Sequence, residues 1–172
     1  QSATAKVSER YDIAAEALPT AVPPWLIVRY PVRQDRRALF RCSAAGEVAL
    51  GELVDSPKRR EIAKLLLEGS AGVWVFLEGS NRANNETAYK LLTSELKRLE
   101  RTMRVEDEAG EPISFFFGVV RLAHSGAEEE VLRRMLLHSE SDLGKFKDDP
   151  MVFPIYGRGM ILYALVGKGV NE

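Results

Sequence analysis

A single cysteine, Cys42, follows Arg41, and the chain has two histidines, His124 and His138. A thiolate at neutral pH needs a nearby positive charge, and a nucleophile needs a base, so these residues are the sequence's route to a thiol-dependent enzyme. Cysteine is also among the most buried residue types, and a thiol packed in a strand is the simpler account of Cys42. One cysteine excludes an internal disulfide, a thiolate-rich zinc site and a Cys-x-x-Cys redox pair. Glu128 to Glu130 and Lys147-Asp148-Asp149 read as solvated charges of a helix and a loop, so no metal and no cofactor is expected. The pairs Gly157-Arg-Gly159 and Gly167-Lys-Gly169 resemble phosphate-cradling loops only superficially. No Ser or Thr follows Lys168, and neither pair opens a helix after a strand, so both read as turns that use glycine's positive φ. Gly69-Ser-Ala-Gly72 lacks the first glycine of a nucleophile elbow.

The strongest local charge feature is basic. Arg29, Arg33, Arg36, Arg37 and Arg41 surround one predicted hairpin, with Lys58, Arg59 and Arg60 soon after and the acids Glu52, Asp55 and Glu61 nearby. Contact with an anion or a membrane surface through Arg29, Arg33, Arg36 and Arg37 would weaken steeply with salt. The whole chain carries 24 Lys+Arg against 25 Asp+Glu, so it lacks the broad positive field of a nucleic-acid binder. Its 172 residues suffice for one core with a small second piece, and no run nears the ~18 apolar residues of a membrane span. The first residues, Gln1 to Val22, show no basic start followed by an apolar run, so either the protein is cytoplasmic or its sequence begins after a cleaved leader, and Gln1 in place of an initiator Met suggests processing or an artificial boundary.

Positioning these residues requires an alternation of strands and helices. Ser8 to Leu18 predicts a short helix before Pro19, and Trp25 to Tyr30 and Ala38 to Ser43 predict a hairpin. A helical piece is expected around Glu47 to Val54, then a helix capped by Ser56, with Pro57 at its first position and Gly69 at its end. Val73 to Leu77 is a strand covered on both faces. Ala88, Leu91, Leu92, Leu96, Leu99 and Met103 mark a long helix from Asn85 to Met103, with Asn84 or Asn85 as its cap. Ile113 to Leu122 predicts a strand, and Ser125-Gly-Ala-Glu128 a capping box that starts another helix. Met151 to Tyr156 and Met160 to Val166 predict a strand pair.

From Val73 onward the order strand, loop, helix, strand, helix, Phe153-Pro-Ile155, strand, strand resembles the thioredoxin-like fold. The resemblance implies a three-layer α/β/α arrangement with a mixed sheet, the last unit lacking its closing helix, and puts Pro154 at the place of that fold's cis-proline. The sequence alone leaves the isomers of Pro24 and Pro154 open. The loop that carries the redox dyad in thioredoxins corresponds here to Gly79-Ser-Asn-Arg-Ala-Asn84, which has no cysteine. Residues 1–70 resemble the rear part of a preceding unit, and residues 71–172 a second unit truncated at its end. Pro24 to Pro31, Ser56 to Ala63, Val73 to Glu78 and Phe153 to Gly159 also resemble an uncharacterised family of exported bacterial proteins. That likeness implies an extracytoplasmic, periplasmic setting and cysteines beyond both ends of this segment. The resulting expectation is a redox-inactive, thioredoxin-like binding or scaffold module. Asn81, Arg82 and Asn84, with Pro154 and Ile155, would form its groove for a protein or peptide. The alternatives are a thiol or redox enzyme using Cys42 or cysteines outside the segment, and an anionic-surface contact through the basic hairpin.

Overall fold

A computed structural model describes residues 25–29, 39–44 and 50–170. The chain divides into two compact units, Gln1–Val54 and Asp55–Glu172. In the first, β1 (Trp25–Arg29) and β2 (Leu39–Ala44) pair antiparallel, with Ile27 opposite Cys42 and Arg29 opposite Leu39, and α1 (Leu50–Val54) follows. The aromatic and β-branched run Trp25 to Val28 suits this pairing. The helix expected at Ser8 to Leu18, together with Pro24, Arg33, Arg36 and Arg37, lies outside the described residues.

The second unit is a mixed sheet with helices on both faces. Its elements are α2 (Pro57–Leu67), β3 (Gly72–Leu77), α3 (Arg82–Thr102), β4 (Phe117–Leu122), α4 (Glu130–Leu137), β5 (Met151–Tyr156), β6 (Met160–Ile161) and β7 (Leu165–Val166). The sheet order is β4-β3-β5-β6, with β7 also on β5. The β3 and β4 strands run parallel, and β5 is antiparallel to β3, β6 and β7. Period-two alternation divides β3 between two cores. Val73, Val75 and Leu77 join Ile62 of α2 and Leu132 and Leu136 of α4, whereas Phe76 joins Ala88, Leu92 and Leu96 of α3. Full burial of Phe76, Leu92 and Leu96 contributes ~1.5 to 3 kcal/mol each by area transfer. Tyr89 meets Phe76 edge to face at 5.3 Å, and Trp74 meets Phe117 at 6.2 Å.

Because α2 packs on β3 and β4, it shares the sheet's unit, and the boundary falls at Val54/Asp55 rather than at the residue 70 suggested by the sequence. That packing explains Gly118: a Cβ there would lie 2.9 Å from Leu65 Cδ1. Ser56 caps α2 as expected, its Oγ accepting from the Arg59 N–H at 3.4 Å, with Pro57 at the helix start and Gly69 at φ +93°.

Four expectations are corrected. The long helix starts at Arg82, and its cap is Asn81, whose Oδ1 accepts from the N–H groups of Ala83 (2.9 Å) and Asn84 (3.2 Å). The capping box at Ser125 does not form: Gly126 takes φ +129° and α4 begins only at Glu130. Glu129, at the cap position of α4, serves a different helix. Its carboxylate accepts from the Lys58 N–H (2.8 Å) and the Ser56 hydroxyl (2.7 Å), closing the start of α2. Finally, the apolar run from Met160 to Val166 is two short strands separated by Leu162 to Ala164, and β4 starts at Phe117 rather than Ile113.

Candidate functional site

Two parallel strands end together at Leu77 and Leu122, and the chain that leaves them is polar. A depression of about 600 Å³ opens there, lined by Glu78, Gly79, Ser80, Arg82, Asn85, Glu86, Arg121, His124 and Ser125. The space outside the carboxyl ends of strands is where open α/β sheets commonly bind ligands.

Arg121 organises one side. It is the single charge in the β4 run Phe-Gly-Val-Val-Arg-Leu, and its guanidinium donates to Glu78 through Nε and to Glu86 Oε1 at 2.6 Å. The Tyr89 ring lies 5.0 Å from its Cζ. The Arg121 hydrogen bond holds the Glu86 carboxyl below the usual glutamate range, with the positive charges of Arg121, Arg82 and Lys90 adding to it against a smaller cost of desolvation. In return Glu86, and then Glu78, hold Arg121 firmly charged. His124 Nδ1 lies 3.3 Å from the Glu78 carbonyl oxygen. A carbonyl only accepts, so this bond requires the proton on Nδ1 and leaves Nε2 as the neutral ring's acceptor.

The other side is built by close backbone approach. Buried Asn85 clamps Gly79 in both directions: its Oδ1 accepts from the Gly79 N–H, and its Nδ2 donates to the Gly79 carbonyl, each at 2.9 Å. A Cβ on Gly79 would lie 2.3 Å from the Asp148 carbonyl oxygen and 2.8 Å from Pro150 N, so only glycine fits. The Ser80 N–H then donates to the same Asp148 oxygen at 2.9 Å. The proline brought against this loop is Pro150.

The residues expected to form one groove are thereby divided. Asn81, Arg82 and Asn84 are exposed at the start of α3, and Arg82 lines the depression. Pro154 stands opposite Trp74, whereas the loop leaves from Leu77 opposite Met151. Three residues of strand, roughly 10 Å, separate the two positions. Ile155 is buried opposite Val73 and lines another concavity, so neither it nor Pro154 reaches the loop. Cys42 and the backbone of Arg29 belong to the first unit's hairpin. His138 lies at the end of α4, its Nδ1 3.1 Å from the Arg134 carbonyl.

No sequence motif singles out Glu78, Glu86 and Arg121, although an arginine inside an apolar strand run is itself a sign that a polar partner must meet it. Among the described residues, no three His, Cys, Asp or Glu side chains gather as a metal site requires, and no helix is long and apolar enough to cross a membrane. Comparison of the chain with protein-family models, curated proteins and solved structures finds no match.

Proposed function

We propose that residues 55–172 are a thioredoxin-like binding module without redox chemistry, and that the depression at the ends of β3 and β4 receives a polypeptide segment. The thioredoxin-like reading is supported by the succession strand, helix, strand, helix, strand, strand from β3 and by a mixed sheet in which β3 lies between a parallel and an antiparallel neighbour. The loop from Glu78 to Asn85 contains no cysteine, so a dithiol exchange has no nucleophile there.

The observation that carries the choice of partner is the balance of charge in the lining. Two carboxylates, Glu78 and Glu86, face two guanidinium groups, Arg82 and Arg121, among the neutral groups of Ser80, Asn85 and Ser125. A phosphate or a metal ion selects a lining of one sign. A lining that offers both donors and acceptors suits the alternating N–H and C=O groups of a peptide.

Selection of displayed peptides against the protein, followed by affinity measurement on variants, tests the reading. Selected peptides should lose about tenfold or more in affinity on Arg82→Glu or Ser125→Trp, both at exposed positions in the lining. Peptides whose affinity ignores both substitutions would refute the assignment of this site.

A further inference from the structure

A second concavity, of about 450 Å³, lies on the opposite side of the sheet from α3 and is built from quite different residues. Ile62, Ala63, Leu66 and Leu67 of α2, Leu132 of α4 and Ile155 of β5 make an apolar trough whose lining also includes the turn Gly157-Arg158-Gly159. Ile62, Leu132 and Ile155 are buried beneath it, while Leu67 on its wall is 89% exposed. The volume is within the usual range of small-molecule sites.

Charge enters this lining with one sign. The charged lining residues are Arg59 and Arg158. Arg59 is half-buried; burial works against its charge, and the Glu129 and Asp55 carboxylates support it. Arg158 is exposed at the tip of its turn, held there by glycines at φ +58° and +87°, and makes no ion pair among the described residues. An apolar trough with cations at its lip is complementary to a molecule that has an apolar chain and an anionic head.

We propose that this groove binds an amphipathic monocarboxylate, with its alkyl chain along Ile62, Leu66 and Leu132 and its carboxylate at Arg158, flanked by Arg59. A second copy of the chain fits less well, because a two-fold contact through this face would bring both copies' Arg59 and Arg158 together. A peptide backbone fits less well too, since its amides would lie against leucine and isoleucine side chains that offer them no partner. The assignment uses none of the residues of the polar depression and stands independently of the peptide reading.

Decanoate, decanol and acetate, titrated into the ¹⁵N-labelled full chain and followed by amide shifts, separate the contributions of chain and head. Decanoate should saturate and shift the amides of Ile62, Ala63, Leu66, Gly157 and Gly159. Decanol should bind about tenfold more weakly and acetate should leave these amides unmoved. Arg158→Ala, at an exposed turn position, should weaken decanoate about fivefold and leave decanol unchanged. Ala63→Trp, on the exposed side of α2, fills the groove and should abolish binding of both. Decanol binding as tightly as decanoate, decanoate shifts that do not saturate or that fall elsewhere, or no binding at all would overturn the proposal. So would sedimentation that reveals a dimer which Ala63→Trp dissociates, because the groove would then belong to a second copy.

Discussion

The two concavities of residues 55–172, one beyond the ends of two strands and one on a face of the sheet, are held open by different forces. At the carboxyl ends of β3 and β4, polar groups hold one another: Arg121 bridges Glu78 and Glu86, and Asn85 clamps Gly79. Beside α2 and α4, the shape follows from packing, with Ile62, Leu132 and Ile155 fixed by the sheet beneath them. Hydrogen-bonded polar groups are geometrically exacting and sensitive to single atoms, whereas an apolar wall tolerates volume-conserving change. The polar site is therefore the one whose geometry single substitutions should damage selectively.

The largest effect should be common to both. Phe153 is fully buried in the strand beneath the groove, and Phe153→Ala should cost about 3 to 5 kcal/mol in urea unfolding and loosen both sites. Gly79→Ala should separate them. The clash with Asp148 and Pro150 should cost about 1 to 3 kcal/mol and abolish peptide affinity while leaving decanoate shifts in place. Loss of both activities would show that the sites are coupled.

Glu129→Ala should act on the other side. It removes the carboxylate that closes the start of α2, at a cost of about 1 kcal/mol, and should weaken the groove without touching the polar site. The smallest effect is electrostatic. Glu86 has its folded-state pKa depressed, so its contribution to stability is complete above the unfolded glutamate pKa and is lost as pH falls through the lower folded value. Glu86→Gln should therefore be less stable than wild type at neutral pH, and the two should converge in acid. Parallel stability curves across that range would contradict the Arg121 pairing.

What the sequence made legible was mostly what depends on near neighbours. The apolar run at Val73, the periodicity from Ala88 to Leu99, the Ser56-Pro57 cap and the glycines of the 157–159 turn all specify local conformation, and each is found as read. What could not be read depends on partners distant in the chain. Asn81, Asn84 and Asn85 are equal as caps by type, but the register of β3 against β5 and the approach of Asp148 recruit Asn85 to Gly79 and leave the cap to Asn81. Glu129 belongs to a helix start by sequence and is drawn to another helix start that lies 71 residues away in the chain. Order along the chain pairs Pro154 with the loop, yet a strand's register decides which of its ends meets that loop, and it is Pro150 that does so.

The polar depression at the ends of β3 and β4 is proposed to receive a polypeptide segment. Amide-shift mapping of a selected peptide on the labelled full chain tests it most directly. Saturable shifts are expected at Gly79, Ser80, Arg82, Glu86 and Ser125, with Gly157 to Gly159 unmoved. Shifts confined to the groove residues or to residues 1–54, with Gly79 and Ser80 silent, would contradict it.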